Sequence, residues 1–473
     1  MPASILWHDY ETWGVDPKRD FPVQFAALRT DLDLNIIAKP VNYFCQIPND
    51  YLPHPQACLV TGITPQQSLR DGHIEAEFAA KVMTQLTQPE TCSAGYNSIK
   101  FDEEVTRNMF YRNFFPVYER EYQNGNSRWD IIDLVRAAYA LRPEGIEWPH
   151  YDDGKPCFKL EELSQANGLE HESAHDALSD VYATIALAKL IKEKQPKLYE
   201  YYWGLRQKHE VAKHIDIVKQ TPFLHISGYI SSLQGCCSWF MPIAQHSSNR
   251  NALIAIDLNK DITPLTDMTI DALNEPGVID EFYQTKQVPV SQIATNKVPF
   301  VANAKTLSPE NATRLGIDRE RCLSNYDLLK QVPDLTQKCR LFAERSLQVS
   351  ESPDIDAQLY TRAFPSPADS QWMKGVIECA PQALSGFYGK TDNPLLAKQL
   401  FRYIGRNYPS MMDEAELVKW QAHRRERFMY GSDNKYLSLE TFQQQIQTLA
   451  VQHQQDVQKL RLLKQLEAYA SQM

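Results

Sequence analysis

Asp9 and Glu11 stand two residues apart in the run Ile5-Leu6-Trp7-His8-Asp9-Tyr10-Glu11-Thr12. On an extended strand, residues two apart share a face. Two carboxylates on one half-buried face repel each other and lose hydration, so a cation or a proton must compensate them. Two further acidic positions are as awkward. Asp102 follows Gly95-Tyr96-Asn97-Ser98-Ile99-Lys100-Phe101 and precedes a helical pattern, where a carboxylate can cap the backbone or face a site. Asp180 ends the run Ser173-Ala174-His175-Asp176-Ala177-Leu178-Ser179-Asp180, and its helical neighbours Ala177, Ala183, Thr184 and Leu187 form a mostly apolar face. Ser173 and Asp176 have capping-box-like spacing, which gives Asp176 a structural role.

D-x-E on a first strand, an Asp at the start of a helix and H-x₄-D on a last helix make a set suited to metal-assisted hydrolysis. Oxygen-only donors favour Mg²⁺ or Mn²⁺ over zinc. Two such ions about 4 Å apart would activate water, stabilise a leaving 3′-oxygen and align a phosphodiester for in-line attack. A lone histidine near a helix end is usually a surface or hydrogen-bonding residue. In this company, His175 could take the proton of the attacking water near neutral pH.

The elements that must position these groups alternate between strand and helix up to about residue 195. Residues 5–10, 25–29 and 41–45 read as strands; 74–86, 103–114, 129–140 and 176–194 read as helices. This mixture predicts an α/β layer architecture. After Gln195-Pro196 the character changes. Short apolar runs at 223–230, 237–243 and 252–258 predict a β-rich module, with helices added around 265–285 and 323–345. Ser350-Glu351-Ser352-Pro353-Asp354 is a polar linker, and the chain beyond it reads as helical. Phe442, Ile446, Leu449, Val457, Leu460 and Leu463 trace one stripe of a long C-terminal helix. The expected domains are therefore 1–195, 196–349 and 350–473.

The chain has 473 residues, 43% hydrophobic and 23% charged, which fits a globular protein of several domains. It has no apolar run long enough for a membrane span and no signal-peptide pattern. Nine cysteines without a C-x-x-C argue against a disulfide framework or a structural zinc. These features predict a reduced, cytoplasmic protein without a membrane partner. A net charge of −10 disfavours a general polyanion binder but leaves room for a local basic groove. Residues 107–142 interleave Arg107, Arg112, Arg120, Arg128, Arg136 and Arg142 with Tyr111, Tyr118, Tyr122 and Trp129. They either track phosphates and stack bases, or form a core edge whose arginines pair with Glu119, Glu121 and Asp133. A second stretch holds Arg402, Tyr403, Arg406, Lys419, Trp420, Arg424, Arg425 and Arg427. It is a nucleic-acid channel, a protein partner site, or an amphipathic helix balanced by Asp413, Glu414 and Glu416.

The acidic set resembles the DEDDh 3′→5′ exonuclease superfamily, whose core is ribonuclease H-like, and within it the bacterial exonuclease I family. The similarity is carried by His8-Asp9-Tyr10-Glu11-Thr12, Thr61-Gly62-Ile63-Thr64-Pro65, Phe101-Asp102 with Glu104-Val105-Thr106-Arg107-Asn108, Asn126-Ser127-Arg128-Trp129-Asp130, Ala140-Leu141-Arg142-Pro143-Glu144-Gly145-Ile146, Ala174-His175-Asp176-Ala177 and Asp356-Ala357-Gln358-Leu359-Tyr360. It runs through nearly the whole chain.

The resemblance implies a ribonuclease H-like exonuclease domain, then an SH3-like β-rich domain and an α-helical C-terminal domain. It implies Asp9, Glu11 and Asp180 as ligands of two Mg²⁺ ions (Mn²⁺ being the alternative), Asp102 as the fourth acidic residue and His175 as the base. Glu11 and Lys159 are implied to hold substrate. Arg107, Tyr118, Tyr122 and Arg136 are implied DNA contacts, to which the basic stretch adds Arg142. Tyr122 stands where the best-known relative has a tryptophan, and Lys159 where it has an arginine, which reduces stacking area and loses a bidentate fork. The implied activity is processive 3′→5′ release of 5′-mononucleotides from single-stranded DNA by a monomer, in repair and recombination. Deoxyribophosphodiesterase activity and binding to the C-terminal tail of single-stranded DNA-binding protein are also implied. The rivals are a catalytically inactive DNA-binding scaffold and an RNA-trimming DEDDh exoribonuclease. The latter are short single-domain chains, so about 270 further residues count against that reading.

Overall fold

The N-terminal apolar run forms strand β1 (Ser4–Thr12) in a computed structural model that describes residues 3–169, 176–345, 352–434 and 436–473. Strand β1 pairs antiparallel with β2 (Pro22–Thr30), setting Asp9 opposite Ala26 and Glu11 opposite Gln24. On its other edge it runs parallel to β4 (Thr91–Gly95), with Leu6 opposite Ser93. Strand β3 (Val41–Phe44) lies beyond β2, giving the order β3-β2-β1-β4. Residues Ser4 to His8 of β1 are buried whichever face they point to, which explains the unbroken apolar run Ile5-Leu6-Trp7. The helices Glu75–Leu86 and Asp102–Arg112 cover this sheet, burying Leu6, Phe25, Phe78, Val82, Val105 and Phe110 in one cluster. Each such side chain contributes about 1.5–3 kcal/mol.

The molecule divides into two compact units, 1–127 with 172–182 and 350–473, and 128–171 with 183–349. In the first unit the C-terminal segment is helical, but the stripe expected on one long helix falls on two, Leu439–Gln452 and Val457–Ala470. The break occurs because the Asp456 carboxylate accepts the backbone N–H groups of Gln458 and Lys459 and caps a new helix. Phe442, Ile446 and Leu463 still bury against Trp13, Phe21 and Tyr51. Val457, at the start of the second helix, is exposed.

Strand β5 (Ser127–Asp130) spans the division between the units. The helix expected over 129–140 therefore starts only at Ile132, whose N–H is taken by Asp130 Oδ1. The second unit is built on an antiparallel sheet of β6 (Phe223–Ile226), β7 (Cys237–Gln245), β8 (Ala252–Asp257), β9 (Val290–Ala294) and β10 (Phe300–Asn303). Its order is β10-β6-β7-β8-β9. The helical region expected around 265–285 is three short pieces, Thr263–Thr266, Ile270–Asn274 and Val278–Gln284. All nine cysteines are free thiols. Among the described residues, no helix is long and apolar enough to cross a membrane.

Candidate active site

The two-residue period of β1 delivers Asp9 and Glu11 to one side, and Asp180 reaches them from the first turn of the helix Ala177–Lys194. One carboxylate oxygen from each of Asp9, Glu11 and Asp180 lies within 4.8 Å of the others. Among the described residues the group is three carboxylates with no sulfur or imidazole donor, a set that fits a hard divalent cation such as Mg²⁺ or Mn²⁺. Their electrostatics point the same way. Burial first, then the charges of Asp102, Glu11, Asp180 and Asp176, push the Asp9 carboxyl well above its ordinary range. Burial, followed by Asp180, Asp102 and Asp176, pushes Glu11 up to about 8. Buried carboxylates held above their ordinary range by burial and by one another have free energy to gain from a cation.

Asp102 does not cap its own helix. It is the first residue of the helix Asp102–Arg112, and its Oδ1 accepts the backbone N–H of Tyr10 at 3.0 Å. That bond fixes the helix to the residue between Asp9 and Glu11. Thr106 reinforces it, donating to the Asp102 carbonyl at 2.8 Å and lying 3.0 Å from the Tyr10 hydroxyl. Asp176 does act as a cap, accepting Ser179 N–H at 3.3 Å, and it also takes the Gln24 side-chain amide at 3.0 Å. It is nevertheless a fifth carboxylate close enough to act on Asp9 and Glu11. The signal for that lay in its i, i+4 spacing from Asp180, which puts both on one helical face. His175, the expected base, and Ser173 lie outside the described residues.

The neighbour on β1, His8, points to the opposite face and is buried. Its ring stacks on Phe25 at 5.8 Å, and desolvation lowers its pKa to about 4, so it stays neutral. Beyond β1 the chain is held at Gly14, where a Cβ would meet Asp20 Oδ2 at 2.1 Å. Asp20 in turn accepts the Tyr51 hydroxyl at 2.7 Å and Asp16 N–H at 2.8 Å.

The basic-aromatic stretch divides. In the first unit, Arg107 is buried and donates to both Glu121 oxygens at 2.8 and 3.0 Å and to Glu104 at 3.0 Å. Arg112 pairs with Glu75 at 2.6 Å, and Arg120 with Glu103 at 2.6 Å. The Tyr118 ring is half-buried with the Arg107 guanidinium 5.3 Å away, whereas Tyr122 is 65% exposed. In the second unit, Arg128 donates to the Asn296 carbonyl and Arg136 pairs with Asp133 at 2.7 Å. Arg142 and Lys159 are exposed there. Much of this stretch is therefore paired core edge.

The C-terminal basic stretch is also largely internal. Trp420 and Tyr403 are buried, and Arg406 and Arg427 pair with Asp50, Asp356 and Asp354 rather than with Asp413, Glu414 or Glu416. Lys419 and Arg425 remain exposed.

Family models match three consecutive spans: Exonuclease over 6–188, Exonuclease I SH3-like domain over 206–344 and Exonuclease I C-terminal domain over 353–473. Exodeoxyribonuclease I of Escherichia coli is 44% identical over 474 residues, covering 100% of this chain and 98% of that one. A crystal structure of E. coli exonuclease I in complex with an oligonucleotide superposes with a TM-score of 0.93 at 44% identity, covering 99% of each chain. A crystal structure of SSB/exonuclease I in complex with an inhibitor gives 0.91 at 44% identity, covering 100% of both. The fold is a ribonuclease H-like exonuclease domain followed by an SH3-like domain and a C-terminal domain. With this identity over the whole of both chains, the protein belongs to the exodeoxyribonuclease I family of enzymes.

Proposed function

We propose that the protein is a divalent-cation-dependent nuclease that degrades single-stranded DNA from its 3′ end and releases 5′-mononucleotides. The observation that carries this reading is the convergence of Asp9, Glu11 and Asp180 within 4.8 Å. It occurs in a chain that matches exodeoxyribonuclease I end to end and has a structural neighbour in complex with an oligonucleotide. Asp9, Glu11 and Asp180 would hold the metal, with Asp102 beside them. Two Mg²⁺ ions, or Mn²⁺, supply when bound a more acidic water and charge stabilisation for an in-line displacement at phosphorus.

The chain's own groups do the rest. Asp102 holds the β1 backbone at Tyr10 and so fixes the spacing of the carboxylates. His175, the base that the family resemblance implies, accepts the proton of the attacking water. Glu11 and Lys159 hold the terminal nucleotide, and Tyr118, Tyr122, Arg136 and Arg142 hold the strand behind it. Arg107 joins them only by exchanging the Glu121 carboxylate for a phosphate. The matched spans support domains at 1–195, 196–349 and 350–473. The SSB/exonuclease I neighbour supports single-stranded DNA-binding protein as a partner, and the C-terminal tail is the part of it that the family resemblance implies. The same reading includes processive action as a cytoplasmic monomer in repair and recombination, with deoxyribophosphodiesterase activity as a second reaction.

End-labelled single- and double-stranded DNA and RNA, incubated with Mg²⁺ or EDTA, test the reading. Stepwise loss from the 3′ end of single-stranded DNA is expected, with Mg²⁺ only. Preferential digestion of RNA would make the protein an exoribonuclease, and DNA binding without digestion would make it a scaffold. In the same system Tyr122→Ala is expected to weaken single-strand binding by ~1–3 kcal/mol, the worth of one stacked base. Unaltered affinity in a fluorescence titration would remove Tyr122 from the strand path.

A further inference from the structure

We propose that Tyr360 is a positioning residue for the hydrolytic site, acting through Glu104 and Arg107 on the helix that carries Asp102. The segment 354–362 lies along the helix Asp102–Arg112 and engages it at three positions. The Tyr360 hydroxyl donates to Glu104 Oε2 and receives Arg107 Nη1 at 3.3 Å, while the same nitrogen donates to Glu104 Oε1 at 3.0 Å. One turn further on, the Tyr111 hydroxyl donates to the Ile355 carbonyl at 3.0 Å and receives Arg362 Nη1 at 2.8 Å. Residues 104, 107 and 111 form one helical face by their spacing of three and four.

The segment is itself anchored at its start, where Asp354 and Asp356 accept Arg427 and Arg406. On its other side the Lys18 ammonium, from the loop that leaves β1, sits 5.5 Å from the Tyr360 ring centroid. Tyr360 thus bridges the two segments whose spacing decides where Asp102 stands relative to Asp9 and Glu11. Tyr360 is 43% exposed, so its contribution comes from the hydroxyl more than from core packing. That hydroxyl meets an anion and a cation, and charge-assisted hydrogen bonds are about twice as strong as neutral ones. The bond it protects, Tyr10 N–H to Asp102 at 3.0 Å, is lost if the first helical turn moves by about 1 Å. Displacements of that size cost about 100-fold in rate where geometry governs reaction.

The catalytic half of this inference rests on the hydrolase reading above; the metal-site half does not. The test is Tyr360→Phe in the full chain, with Mn²⁺ affinity measured by calorimetry on metal-free protein and kcat and KM measured on single-stranded DNA with Mg²⁺. The expected result is an Mn²⁺ dissociation constant raised about 10-fold, as for other residues that orient metal ligands. kcat should fall by a similar factor and KM should change by less than about twofold. Glu104→Gln should give a similar loss, and the double variant no further loss, because the two side chains form one contact. Mn²⁺ affinity and kcat equal to those of the unsubstituted protein would overturn the proposal, even with a lower melting temperature, because Tyr360 would then only support the fold. If the unsubstituted protein does not cleave single-stranded DNA, the hydrolase reading fails and the Mn²⁺ measurement still decides the role of Tyr360.

Discussion

Asp180→Asn is expected to lower Mg²⁺-dependent digestion of single-stranded DNA by more than about 100-fold, and to stabilise the metal-free protein at pH 8. The two effects have one cause. Asp180 is one of three carboxylates that meet within 4.8 Å, so the amide removes both a ligand and a repelling charge. Single-strand affinity measured without metal should survive, since the substitution leaves Tyr118, Tyr122, Arg136 and Arg142, proposed to hold the strand, unchanged. Unimpaired digestion would sink the site, and a less stable metal-free variant would sink the electrostatic argument behind it.

The pH dependence follows from the sign of the shift. Glu11 is raised from 4.5 to about 8 by burial and by Asp180, Asp102 and Asp176. Below pH 4.5 the carboxyl is protonated in folded and unfolded chains alike. Between pH 4.5 and about 8 the folded chain keeps a proton that the unfolded chain has lost, so stability from this group falls as pH rises. Above that window the ionised, buried carboxylate opposes folding in full. Thermal unfolding in EDTA should therefore show the unsubstituted protein losing more stability from pH 5 to pH 8 than Asp180→Asn. Added Mg²⁺, which needs the ionised set, should raise the melting temperature more at pH 8 than at pH 5. Parallel pH profiles for the two proteins in EDTA would contradict the assignment.

The strand period alone placed Asp9 and Glu11 on one face, and the apolar neighbours of Asp180 marked it as a carboxylate in need of a partner. Those signals are local, which is why they were legible. Asp102 was ambiguous because its hydrogen bond runs to Tyr10, 92 residues away. Strand β4, Thr-Cys-Ser-Ala-Gly, has little β-propensity of its own and is held by pairing with β1. Strands β9 and β10 likewise depend on partners far along the chain. The arginines of 107–142 read equally as a binding stripe or a core edge. Only tertiary pairing with Glu75, Glu103 and Glu121 separated the two for Arg112, Arg120 and Arg107. These partners lie 14 to 37 residues away, and of the three only Glu121 was among those that the sequence suggested.

The same blindness hid the largest expected stability effect. Asp50→Ala is expected to destabilise the protein by about 3–5 kcal/mol, as breaking a buried ion pair from one side does. Asp50 is fully buried and accepts Arg406 at 2.9 Å on both oxygens, Arg427 at 2.9 Å and His423 at 3.1 Å. Burial alone would raise its carboxyl, but the Arg406 and Arg427 guanidiniums outweigh that and hold it well below the carboxylate range. Removing it leaves buried guanidiniums with too few acceptors. Asp50→Asn keeps the shape and loses the charge, so it should cost nearly as much as Ala if charge is what matters, and little if packing is. A depressed carboxylate contributes its stability above its unfolded value of 3.8 and loses it only as pH falls through the lower folded value. The cost of either substitution should therefore be constant between pH 5 and pH 8 in urea unfolding. A cost below about 1 kcal/mol would mean that water, and not Asp50, satisfies the two guanidiniums. Because Arg406 and Arg427 also anchor Asp356 and Asp354, both substitutions should loosen the segment that bears Tyr360 and lower kcat along with stability.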